Sequence, residues 1–183
     1  MSASDILREE HSAVLAVLDQ LGRAVNAIVQ GAPVPPSVLA DLAEFFAVFV
    51  DRCHHAKEES AVFPRLGSAG AATVLRLEAD HTTGRKLAAD FAEAAADWTP
   101  GNITAASRLQ AAARTYAALL RAHIERESAE LLPLMEMRFD DAADAEIVAA
   151  FERIETEQIG AGTHERLHAL IDSLGPRIAA AVR

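Results

Sequence analysis

Histidine and glutamate stand four residues apart at His54 and Glu58, at the adjoining His55 and Glu59, and again at His123 and Glu127. On a helix that spacing puts both side chains on one face, a turn apart, where an imidazole nitrogen and a carboxylate oxygen can reach one cation. Two further histidines, His11 and His81, each follow a leucine at the same distance, Leu7 and Leu77. The series Leu7, His11, His54, Glu58, Pro64 is thus echoed by Leu77, His81, His123, Glu127, Pro133. Matched halves place equivalent side chains about a pseudo-twofold axis, which is how a bundle assembles one shared site from two helical hairpins. The chemistry implied is metal ligation by nitrogen and oxygen, which zinc, manganese and iron all accept. Two glutamates buried among apolar residues are costly if unpaired, so either their pKa values rise or cations sit beside them. Two carboxylates among six ligands favour a pair of ions.

Such a site requires helices that present all six groups at one level. Alanine is abundant and β-branched and aromatic residues are sparse, so the composition is all-α. Glycine- and proline-rich breaks at Gly31 to Pro36, Gly67 to Gly70, Thr99 to Asn102 and Gly160 to Gly162 divide the chain. They delimit four helices, about Ser4 to Gln30, Ser37 to Leu66, Ala72 to Trp98 and Ile103 to Arg138. Short connections make neighbours antiparallel, an up-down-up-down four-helix bundle. Residues 1–140 form the bundle, and residues 141–183 an accessory tail of one or two helices, about Ala142 to Ile159 and Thr163 to Ala181. Apolar stripes through Ile147, Val148, Phe151 and Ile154, and through Leu167, Leu170, Ile171 and Leu174, lay that tail against the bundle.

Depth and facing can both be checked. Measured from the connecting loops at ~1.5 Å of rise per residue, His11 and His54 differ in level by about 3 Å, and His81 and His123 by about 4.5 Å. At ~100° per residue, Leu109, Ala112, Tyr116, Leu119, Glu127 and Leu134 fall within about 40° of His123, so that histidine faces the core. On the second helix Leu39, Leu42, Phe46, Phe49, Val50 and Cys53 define an apolar face that His54 borders and that His55 opposes by about 180°. His54 and Glu58 are therefore the inward pair, and His55 with Glu59 is expected to be a solvated surface pair. Cys53, in the middle of the apolar face, reads as a small hydrophobe, and Tyr116 as a core residue with a satisfied hydroxyl.

Bulk properties narrow the function. The chain has 183 residues, 51% hydrophobic and 24% charged, enough for one domain with a sizeable core. Its formal net charge of −10 repels phosphate backbones and anionic membrane surfaces, which argues against nucleic-acid and membrane partners. A single cysteine excludes an internal disulfide framework and suits a reducing compartment. With no signal-like N-terminus and no long uninterrupted apolar run, the expectation is a soluble, cytoplasmic protein.

The residues carrying this pattern are EEH at Glu9 to His11, HHAKEESAVFP at His54 to Pro64, ADH at Ala79 to His81 and HIERESAELLP at His123 to Pro133. Over about residues 4–138 the chain resembles the hemerythrin-like, HHE cation-binding family. The resemblance implies a bundle holding two irons, bridged by two carboxylates and an oxo or hydroxo oxygen, with an open position for dioxygen or nitric oxide. It implies His11 and His54 on one iron, His81 and His123 on the other, and Glu58 and Glu127 bridging. Two departures from the oxygen-carrying hemerythrins stand out. Leu77 occupies the place of a further histidine, and Glu127 replaces an aspartate.

Losing a histidine opens a position on one iron, which argues against reversible oxygen transport. Two readings follow from the resemblance: a module that binds or senses dioxygen or nitric oxide, or an oxidoreductase that consumes peroxide or nitric oxide. In the tail, His164 and His168 repeat the i to i+4 spacing beside the flexible Gly160 to Gly162 segment. They are either packing residues of an accessory helix, or one of them, His164 for preference, supplies the histidine missing at Leu77.

Overall fold

The computed structural model describes residues 1–182 and contains only helices among them. Each start has a local cause. α1 (Ala3–Val29) opens with a capping box, in which Ser2 accepts from the Asp5 amide and Asp5 from that of Ser2. α2 (Pro36–Phe45) begins on a proline, whose missing N–H costs nothing in a first turn. Asn102 caps α4 (Ile103–Arg126) by accepting from the Ala105 amide at 3.0 Å. Asp140 caps α6 (Asp141–Arg153) by accepting from Ala143 at 2.9 Å. α3 (Phe63–Ala96) carries a kink at Gly67, whose φ of 59° marks the break expected there. α5 (Leu132–Arg138) and α7 (Thr163–Ala181) complete the set.

The second and fourth long helices are not α-helical throughout. After α2 the chain winds as a π-helix over Phe46–His55 and again over Glu58–Val62, and α4 passes into a π segment at Glu127–Leu131 before α5. The amides of Phe63 and Leu132 bond back five residues, to the carbonyls of Glu58 and Glu127. Pro64 and Pro133 stand one residue further on. A proline ring has no N–H and clashes with the carbonyl four residues back, so the turn before it loosens.

Buried apolar residues form two cores with a polar layer between them. The larger includes Val14, Val50, Phe91 and Leu120, the smaller Leu7, Ala61, Leu77 and Leu131. α1 runs from the smaller core (Leu7) through His11 to the larger (Val14), and the second long helix returns from Val50 through His54 and Glu58 to Ala61. α3 then leaves Leu77 through His81 towards Phe91, and the fourth helix returns from Leu120 through His123 and Glu127 to Leu131. The four helices thus alternate in direction and cross the polar layer at one level.

Among the described residues α1 is long and apolar enough to cross a membrane by length and composition. Its apolar residues Val14, Val17, Leu18, Leu21, Val25 and Ile28 are buried in the larger core, where an amphipathic bundle helix puts them. The tail covers the bundle. α6 packs on α1 and the Glu58–Val62 segment through Ile147 and Phe151, while α7 packs on α1 and α2 through Leu167, Leu174 and Ile178.

Candidate metal centre

The polar layer consists of His11, His54, His55, Glu58, His81, His123 and Glu127, each at most 4% exposed. Two sets of converging ligand atoms share both glutamates: His11, His54, Glu58 and Glu127 on one side, Glu58, His81, His123 and Glu127 on the other. His11 Nε2 lies 3.1 Å from Glu127 Oε2, and His123 Nε2 3.0 Å from Glu127 Oε1. His81 Nε2 is 3.3 Å from Glu58 Oε2 and 3.2 Å from His123 Nε2. His54 Nε2 is 3.7 Å from Glu58 Oε1.

These atoms crowd together, yet apart from the His81–His123 contact they leave one another unsatisfied. Both carboxylate oxygens of Glu58 and of Glu127, both ring nitrogens of His11 and of His55, and Nε2 of His54 are buried and make no hydrogen bond of proper direction. So many orphaned donors and acceptors at one point are expensive in a dry interior. A pair of divalent cations would satisfy them, and the nitrogen and oxygen donors suit such ions.

Protonation points the same way. Burial alone would weaken the His81 imidazolium, yet the closeness of the Glu127 and Glu58 carboxylates and the bond from Nδ1 to Glu59 outweigh it and lift the ring to about 10. Burial pushes Glu127 up, but the rings of His11, His123 and His81 hold its carboxyl well below the usual range. The layer therefore demands positive charge, which protons on histidine or cations between the histidines can supply.

His55 corrects the sequence reading. Far from being solvated, it is 4% exposed and stacks on His81 with ring centroids 3.9 Å apart. It forms a third converging set with His81 and His123. The facing argument assumed α-helical winding, but Phe46–His55 is π-helical and turns less per residue, so Cys53, His54 and His55 are buried in succession. Burial holds the His55 ring neutral, down to about 3, with the neighbouring histidines adding repulsion.

Most of these rings are held from behind. His54 Nδ1 donates to Glu10 at 2.8 Å, His81 Nδ1 to Glu59 at 2.7 Å and His123 Nδ1 to Asp80 at 3.4 Å. Each carboxylate is in turn paired with a cation: Glu10 with Lys57, Glu59 with Arg85 at 2.7 Å, and Asp80 with Arg126. A ring whose Nδ1 carries the proton turns its Nε2 lone pair inward, the tautomer a ligand needs. Glu10 and Lys57 were not singled out in the sequence, since a charged residue beside a histidine reads as solvated face.

A match to the family model of the hemerythrin HHE cation-binding domain covers residues 2–135. The chain belongs to that family. No curated protein and no solved structure matches it at a significant level. The histidine and glutamate clusters of this HHE domain suit the binding of metal cations. Leu77, where the oxygen carriers have histidine, is fully buried in the smaller core. His164 is not brought to the HHE layer: its Nδ1 lies 3.9 Å from Cys53 Sγ and 3.6 Å from Glu155, and its Nε2 3.0 Å from His168. Of the two readings of the tail, the position of His164 suits accessory packing rather than a fifth ligand, because α7 packs against Phe49, whose ring lies 5.4 Å from that of His164. Burial pushes the Cys53 thiol up to about 12, leaving it unreactive.

Proposed function

We propose that this HHE domain holds two irons, with His11 and His54 on one, His55, His81 and His123 on the other, and Glu58 and Glu127 shared. On this reading it binds or senses dioxygen or nitric oxide in the cytoplasm, where its one buried thiol stays reduced. Bound there, an iron pair supplies a change of oxidation state and an open position for a diatomic ligand. The observation that carries the reading is the asymmetry of the donors: three histidines converge on one side, two on the other, and both carboxylates lie between them. His55 refills the place that Leu77 left empty. The side with fewer nitrogens, at His11 and His54, is then the side with room for an incoming molecule.

The protein's own groups do the rest. Glu10, Glu59 and Asp80 fix ring tautomers, the two apolar cores exclude water, and Glu58 and Glu127 hold negative charge where the cations sit. Purified protein is expected to carry about two irons per chain. Mixing the reduced protein with nitric oxide or dioxygen in a stopped-flow instrument should give one stoichiometric, reversible spectral change. Consumption of peroxide or nitric oxide over many turnovers would overturn this in favour of an oxidoreductase.

A further inference from the structure

The tail lies outside the matched domain, yet one of its side chains, the half-buried Glu155, ends a chain of charges that begins at the polar layer. Lys57 is fully buried and bonds both to Glu10 and, at 2.6 Å, to Glu155 in the π segment that follows α6. Glu10 uses its other oxygen to accept from His54 Nδ1 at 2.8 Å. Cys53 and His164 also converge here with Glu10 and Glu155. The cation of that cluster is already in place, because it is the Lys57 ammonium.

We propose that Glu155 is a positioning residue for the cation site, acting through Lys57 and Glu10 on His54. The inference rests on the cation reading above. One ammonium shared between two carboxylates leaves Glu10 with more negative charge to direct at His54. A stronger acceptor on Nδ1 makes Nε2 a better donor to a metal. Without the Glu155 charge, Lys57 turns wholly to Glu10, the bond to His54 weakens and the site loses affinity. The tail thereby sets the strength of a ligand that it never touches.

The test is a double-mutant cycle on the full chain. Co2+ affinity is measured by competition with a chelator, and the His54 Nδ1–H proton resonance is followed in the metal-free protein. Glu10→Gln should weaken Co2+ binding by about tenfold or more, and Glu155→Gln by about fivefold, since it acts one step further out. In the Glu10→Gln background Glu155→Gln should cost nothing further. Glu155→Asp should restore part of the loss. Glu44→Gln removes another pairing of tail to bundle, the 2.7 Å contact with Arg166, and should leave both readouts unchanged. Equal losses from Glu155→Gln in both backgrounds, a matching loss from Glu44→Gln, or an unmoved His54 resonance would each overturn the relay. Wild-type protein that takes up no Co2+ overturns the cation reading instead, and the resonance in the metal-free chain separates the two failures.

Discussion

His55 changes what the donor set can do. If two ions are held as proposed, the ring of His55 beside His81 and His123 would give one of them a third nitrogen and leave the open position to the other, at His11 and His54. His55→Ala is expected to lower occupancy of one of the two ions, with affinity falling by at least about tenfold, while His54→Ala should deplete the other. Metal analysis and chelator competition check this. Full occupancy in His55→Ala would reduce the residue to a stacking partner of His81. The doublet was visible in the sequence, as was Asp51, which lies four residues before His55 and 3.7 Å from its Nδ1. Its direction was not, because facing was counted at a constant angle per residue.

At the scale of elements, the glycine and proline breaks placed most ends of the long helices to within a few residues, but the break expected at Gly67 to Gly70 is a kink inside α3, which starts at Phe63 rather than about Ala72. Counting the rise from the loops put His11 level with His54 and His81 level with His123, and all four lie in one buried layer. Winding was the part that could not be read. A π segment differs from an α-helix only in that its amides bond five rather than four residues back, and side-chain pattern carries no mark of it beyond the prolines at 64 and 133. Pro133 gives a way to ask what the loosened turn is for. It is exposed and lacks the amide that would close the turn, so Pro133→Ala should let the segment tighten. The metal-free variant is expected to gain about 1 to 3 kcal/mol in stability and to bind Co2+ more weakly, because Glu127 is re-aimed. Thermal unfolding and chelator competition should therefore move in opposite directions. If both improve together, π winding does not aim that carboxylate.

Over the whole molecule, each long helix belongs to two apolar cores at once, and the layer that divides them is held together by groups that want a cation. A ligand that binds only the folded state adds to stability by mass action. Here its contribution is also placed at the seam. In the metal-free chain, backbone amides around Leu131, Met135 and Phe151 in the smaller core are expected to exchange with solvent faster than those around Val17, Leu42 and Phe91, because fewer buried side chains oppose opening there. On loading with Co2+ the two sets should converge. Hydrogen exchange read by mass spectrometry decides it, and equal rates without the ion would mean that the cores are already one unit. The polar layer thus makes cooperativity itself conditional: with the ion clasped the chain melts as a single body, and without it one end can come apart while the other still stands.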